Sequence, residues 1–174
     1  MKYNKNQVLE VLQNLDDSQL EAVAADVLEK MNEKGMSLKE ATGVSEESLE
    51  EMYALAYGYY NQGKFEEAVS LFKFLSIASP DTYRYVLGMA ASFHQLKSYK
   101  EAATGFYLAL NLEPNPFAGY YLLDAFLKQD LFDEAREFID LLLELCEEQP
   151  GYEEIQGRVE LIKKSLNDKK KLEK

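Results

Sequence analysis

The chain has one histidine and one cysteine, and that scarcity removes most reaction chemistry before any fold is considered. His94 has no second imidazole with which to share acid–base work. A Cys–His couple would need Cys146, which lies in an apolar run at 141–146 where nothing lowers a thiol pKa. No His or Cys cluster has metal-ligand spacing, so neither a metal nor a cofactor is expected. The nine glycines are scattered at turns and form no phosphate-cradling loop. Carboxylate pairs such as Glu46/Glu47, Glu66/Glu67 and Glu147/Glu148 fall at helix ends and outer faces, where solvated charge is the ordinary state. An enzyme is therefore not expected. A lone cysteine cannot close an intrachain disulfide, which fits a reducing compartment. Basic residues are also few, 19 Lys and Arg against 31 Asp and Glu, and the net charge of −12 argues against nucleic acid as a partner. The one basic cluster, Lys163, Lys164, Lys169, Lys170, Lys171 and Lys174, reads as a solvated helix end. No window approaches the length that spans a bilayer, and Met1 to Asn6 leads into no apolar signal segment. A soluble, cytoplasmic protein with no membrane insertion is expected.

What the chain does have is apolar content and a period. Hydrophobic residues make up 47% of 174, enough for one domain with a sizeable core. Between Leu49 and Pro114 two copies of one unit lie 34 residues apart: Phe65 matches Tyr99, Ala68 matches Ala102, Phe72 matches Phe106 and Pro80 matches Pro114. That is the period and pattern of the tetratricopeptide repeat, a helix-turn-helix unit. Small residues stand where paired helices approach (Ala56 with Ala68, Ala90 with Ala102). Leu55, Tyr59, Met89 and Phe93 fill the wedge beside Phe72 and Phe106. The prolines end the second helices.

The fold expected is all-α, a solenoid of three repeats with an N-terminal helical arm and a C-terminal capping helix. Residues 1–44 form the arm, 45–171 the repeats and cap, and 172–174 a tail. In the arm, a short helix precedes Asp16, and Ser18 with Glu21 has capping-box spacing for a second helix to about Lys34, stopped by Gly35. Its stripe Leu20, Val23, Val27, Leu28 and Met31 needs an apolar partner, and a homodimer contact is expected there. Ser45 caps the first repeat helix, running to about Gln62. Helices then follow at 65–78, 82–96, 99–112, 116–129 and 132–148, with Asn115-Pro116 as cap and first position of the fifth. The third repeat is degraded. Ala135 follows Ala102 by 33 residues, Phe126, Phe132 and Ile139 hold the companion positions, and Leu123 stands where a small residue is usual, so this pair should pack differently. After Pro150-Gly151, a helix at about 152–171 presents Ile155, Val159, Ile162 and Leu166 as the cap a solenoid requires.

In such a solenoid the first helix of each repeat lines the concave side. Its inward positions are Glu50, Tyr53, Tyr57, Tyr60 and Asn61 in the first repeat. In the second they are Arg84, Leu87, Ala91, His94 and Gln95; in the third, Phe117, Tyr120, Asp124, Leu127 and Lys128. The repeat requires none of them, yet the set carries five aromatics. Tyrosine suits a groove that is wet when empty and apolar when filled. An extended peptide fits, with apolar side chains between the rings and Asn61, His94 and Gln95 bonding its backbone. The peptide groove expected comprises Tyr53, Tyr57, Tyr60, Asn61, Arg84, Leu87, Ala91, His94, Gln95, Phe117 and Tyr120. The other class weighed is a repeat scaffold or regulatory adaptor that docks folded partners or the C-termini of other proteins. It would need convergent lysine, arginine and asparagine side chains in the groove, and only Arg84, Lys128 and Asn61 qualify.

The run Ser45-Glu46-Glu47-Ser48-Leu49-Glu50-Glu51-Met52-Tyr53-Ala54-Leu55-Ala56-Tyr57, then Gly63-Lys64-Phe65-Glu66-Glu67-Ala68, resembles the first repeat of the translocator (class II) chaperones of bacterial type III secretion. Tyr83-Arg84-Tyr85-Val86-Leu87-Gly88-Met89-Ala90-Ala91 resembles their second. The likeness covers about residues 44–171. It implies a cytoplasmic chaperone that keeps hydrophobic, pore-forming translocator proteins soluble and apart before secretion. It also implies that a short extended segment with proline and leucine anchors lies in the groove. Tyr53, Tyr57 and Tyr60 match groove aromatics of the family, and Arg84, Leu87 and His94 lie on the facing wall. The resemblance further implies a homodimer through the N-terminal helices or first repeat. Two departures stand out: a longer, more acidic arm, and Phe65 where tyrosine is usual.

Overall fold

In the computed structural model, residues 29–36, 40, 41 and 43–172 are described. The first arm helix, the Ser18–Glu21 cap and Leu20, Val23, Val27 and Leu28 lie outside them. Met31, on a helical stretch at 29–34, is half-buried, and Gly35 follows in the left-handed conformation. Seven further helices follow among the described residues: α1 (Glu46–Asn61), α2 (Phe65–Ala78), α3 (Tyr83–Gln95), α4 (Tyr99–Leu112), α5 (Pro116–Lys128), α6 (Phe132–Glu148) and α7 (Glu153–Leu172). The chain divides into two compact units, Met1–Tyr85 and Val86–Lys174, with the boundary in α3.

In the first unit, the Ser45 hydroxyl accepts from the Ser48 amide at 3.1 Å, and Glu46 and Glu47 occupy the first turn of α1. One orphan donor is thereby satisfied and the helix dipole is opposed. Leu49, Met52 and Ala56, three and four residues apart on one face, are buried as α1 packs on α2. The α2 side of that core is Ala68, Val69, Phe72 and Leu75.

In the second unit, α3 and α4 meet at Ala90 and Gly105. A β-carbon placed on Gly105 would lie 2.8 Å from that of Ala90, so the approach needs a glycine as well as the alanines at 90 and 102. The third repeat packs differently, as Leu123 predicts. Leu123 is fully buried in a cluster with Ala135, Ile139 and Leu142, and the tight approach moves to Gly119, where an added β-carbon would meet Leu142 Cδ1 at 2.6 Å. Asn115 caps α5 by accepting from the Phe117 amide at 2.9 Å, with Pro116 at the first helical position. α7 closes the cluster with Val159 and Leu166, and Ile155 and Ile162 pack against it. Cys146 is a buried part of this core, and burial, aided by the Glu147 carboxylate, pushes its thiol pKa up.

One device recurs at the turn inside each repeat. After α1, the Lys64 amide donates to the Tyr59 carbonyl at 2.9 Å and the Gly63 amide to Tyr60 at 3.0 Å. The same two bonds follow α3 (Ser98 to Phe93 at 3.0 Å, Lys97 to His94 at 3.0 Å) and α5 (Leu131 to Phe126 at 3.0 Å, Asp130 to Leu127 at 3.2 Å). This is the Schellman arrangement, which needs a left-handed residue. Gly63 supplies it at φ 76°, but Lys97 at 59° and Asp130 at 58° adopt it against the crowding of their own β-carbons. Lys97→Gly is therefore expected to stabilise the protein by up to about 1 kcal/mol, and Gly63→Ala to destabilise it by about 1 kcal/mol. Urea denaturation checks both, and a Lys97→Gly variant less stable than the parent would contradict the account.

Candidate functional site

The first unit carries an aromatic patch built on α1. Tyr53 and Tyr57, four residues apart, stack with ring centroids 6.3 Å apart. Tyr53 is anchored from below: its ring lies 6.0 Å from Phe72 of α2 and 5.6 Å from Tyr85 of α3. Tyr57 is 54% exposed. Tyr60, half-buried, meets Phe65 edge-on at 5.5 Å. Asn61, at the end of α1, is exposed.

Arg84 ties this patch together. Its guanidinium carbon sits 4.6 Å from the Tyr53 ring centroid and 5.2 Å from that of Tyr85, and it pairs with Glu50. Glu50 and Arg84 occupy the same position of successive repeats, so the repeat itself brings them together. Both are about half exposed, and the ion pair contributes under about 1 kcal/mol. Its effect is geometric, since it holds a cation against the tyrosine rings, where the ring quadrupole favours it. Tyr85 is buried, and that burial raises its phenol pKa.

The second unit carries another cluster. His94 Nε2 lies 2.7 Å from Asp124 Oδ2, and both side chains are largely covered. The imidazole is boxed edge-on by Tyr99 at 5.4 Å, Phe106 at 6.1 Å and Tyr121 at 5.4 Å. The nitrogen expected to serve a peptide backbone thus already has a carboxylate partner. Phe117 and Tyr120 come together through Tyr121, whose ring centroid lies 4.9 and 5.6 Å from theirs. Phe117 is 45% exposed. Leu87, Ala91 and Gln95 follow one another at four-residue steps along α3, the first two half-buried and the third exposed.

Beside Phe117 and Tyr120, residues of α5 and the start of α7 line an open pocket of about 330 Å³, with Tyr121, Gly151, Tyr152, Glu154, Ile155 and Arg158 completing its walls. Arg158 pairs with Glu154 at 2.6 Å, and the neighbouring Tyr120 and Glu154 side chains raise its guanidinium pKa.

None of the eleven residues expected in a peptide groove is buried: Tyr53, Tyr60, Leu87, Ala91, His94 and Tyr120 are half-buried, and the other five are exposed. Tyr53, Tyr57 and Arg84 are drawn into one patch, and His94, Phe117 and Tyr120 into another. Tyr85, Tyr121, Tyr152 and Arg158 were not foreseen from the sequence. Tyr85 and Tyr121 sit one residue past an inward position, so the repeat frame alone gave no reason to single them out. Tyr152 and Arg158 belong to the cap, which the frame does not cover. No group of three or more His, Cys, Asp or Glu residues among the described residues has the geometry to hold a metal ion. No described helix is long and apolar enough to cross a membrane.

A tetratricopeptide-repeat family model matches residues 49–81 and 81–115. The chain is 27% identical over 131 residues to the Low calcium response locus protein H of Yersinia pseudotuberculosis, covering 75% of this chain and 78% of that protein. It is 32% identical over 97 residues to the chaperone protein SicA of Salmonella dublin, covering 56% of this chain and 58% of that one. Among solved structures, the type III secretion chaperone SycD of Yersinia enterocolitica, in complex with a peptide of the translocator YopD, superposes with a TM-score of 0.68 at 25% identity, covering 72% of this chain and 97% of that one.

Proposed function

We propose that this chain, a tetratricopeptide-repeat homologue of the translocator chaperones of bacterial type III secretion, binds hydrophobic translocator proteins and keeps them soluble in the bacterial cytoplasm before secretion. The observation that carries the reading is the supply of solvent-facing rings on the first helices of the repeats, at positions the fold does not need. Tyr57 and Phe117 lead that set. Exposed apolar clusters of this kind mark contact sites. A bound peptide would take its affinity from a few apolar anchors, here proline and leucine, seated between the rings. The protein acts by sequestration and performs no chemical step. SycD, whose structure holds a translocator peptide, supports the client class.

Co-expression tests the reading. A hydrophobic type III secretion translocator co-expressed with this chain is expected to move from the pellet to the soluble fraction and to co-purify with it. A translocator that stays insoluble, or that is soluble without the chain, would refute it.

The chain also works as a homodimer in this reading, using the arm stripe that includes Met31. Sedimentation at tens of micromolar, a concentration suited to a modest interface, is expected to give the mass of two chains. A monomer would count against the dimer and leave client binding untouched.

A further inference from the structure

The cavity between α5 and α7 has a chemistry that proline and leucine anchors do not use. Its walls are largely aromatic: Phe117, Tyr120 and Tyr121 from α5, and Tyr152 just before α7. Aromatic walls can meet an inserted ring edge-to-face, which is the arrangement Phe117 and Tyr120 already adopt with Tyr121. At the rim stands a guanidinium, Arg158. Its partner Glu154 is one helical turn away, and the Arg158 side chain is itself 56% exposed, which leaves guanidinium surface open to an incoming ring. An aliphatic side chain gains nothing from that cation. A ring gains the attraction of its negative face. The same protein shows the geometry at its other aromatic patch, where Arg84 lies 4.6 Å from the centre of Tyr53. The volume of about 330 Å³ falls at the lower end of sites that hold one small group.

We propose that this cavity is a selective pocket for an aromatic side chain, which stacks on Arg158 and inserts between Phe117 and Tyr152, and that a client presents such a residue as a further anchor. The client's identity rests on the chaperone reading. The pocket's preference does not, so the two fail separately.

The absence of tryptophan from the chain makes the indole an unambiguous probe. N-acetyl-tryptophanamide and N-acetyl-leucinamide are titrated into the full-length protein, following the amide resonances of Gly151 and Ile155 and the indole emission. The tryptophan compound is expected to shift both amides saturably and to bind at least fivefold more tightly than the leucine compound. Arg158→Gln, which keeps the stem and some hydrogen bonding, is expected to weaken it about three- to fivefold, the size of an exposed cation–π contact. Phe117→Ala is expected to weaken it further, whereas Tyr53→Ala/Tyr57→Ala, in the other unit, leaves it unchanged. Equal affinity for the two compounds, no saturable shift, or an affinity indifferent to both Arg158→Gln and Phe117→Ala would overturn the proposal. The exposure of Phe117 and Arg158 keeps these variants folded. If the pocket test succeeds while a translocator remains insoluble on co-expression, the pocket stands and the client assignment falls.

Discussion

Replacing both Tyr53 and Tyr57 by alanine is expected to weaken binding of an extended, proline- and leucine-bearing translocator segment by about 2 kcal/mol, roughly thirtyfold. Each ring that acts as an anchor accounts for about half of that. The two positions differ in a way that makes the experiment readable. Tyr53 packs on Phe72 and Tyr85 and carries Arg84 on its face, so its loss also loosens the α1–α2–α3 seam. Tyr57 is 54% exposed and stacks on Tyr53 alone among the ring contacts of the described residues, so Tyr57→Ala should lose binding with stability nearly intact. Calorimetric titration of the peptide, with melting curves beside it, separates the two effects. Unchanged affinity in the double variant would remove this patch from the binding surface.

The largest effect on stability is expected from Phe106→Ala. Phe106 is 1% exposed and lies in α4, with its ring 5.7 Å from Tyr121 and 6.1 Å from His94. Truncating a buried phenylalanine costs about 3–5 kcal/mol, through lost transfer energy and the cavity left behind. Against a total stability of about 5–15 kcal/mol, that is a large fraction. A fall in Tm of roughly 10 °C or more follows for a chain of this size. The consequence reaches the candidate site, because Tyr121 is the ring against which both Phe117 and Tyr120 rest, and Phe106 is its backing. Phe106→Leu keeps most of the volume and should cost under about 1.5 kcal/mol. A melting temperature within a few degrees of the parent for Phe106→Ala would show that the ring's burial contributes little.

The elements themselves were legible in the chain. α2, α4 and α6 begin and end where the apolar period, the turns and the prolines place them, because each of those signals acts within one helix or at its ends. Ser45 and Asn115 could be read as caps because a cap is a contact across two or three residues. The degraded third repeat was legible for the same reason: a leucine at a small-residue position must displace something, and it moved the close approach to Gly119. The turn after α3 was harder. With lysine at 97 and no glycine to announce a left-handed residue, only the completed pair of hydrogen bonds reveals the motif it shares with Gly63.

The candidate site divides along the same line. By itself the sequence determined the repeat, its period and the list of inward positions, since these follow from a helical pitch and a residue pattern that no neighbour can alter. What only the tertiary structure decided was how those side chains are used. His94 is committed to Asp124, 30 residues on, inside a box of three rings. Arg84 is drawn onto Tyr53 by an ion pair with Glu50. Tyr121, absent from the inward list, turned out to be the hub of its cluster. The pairs His94–Asp124, Glu50–Arg84 and Tyr53–Arg84 join residues about 30 positions apart, at distances set by how closely two helices pack. That separation depends on every small residue along the seam, and no single stretch of the sequence encodes it.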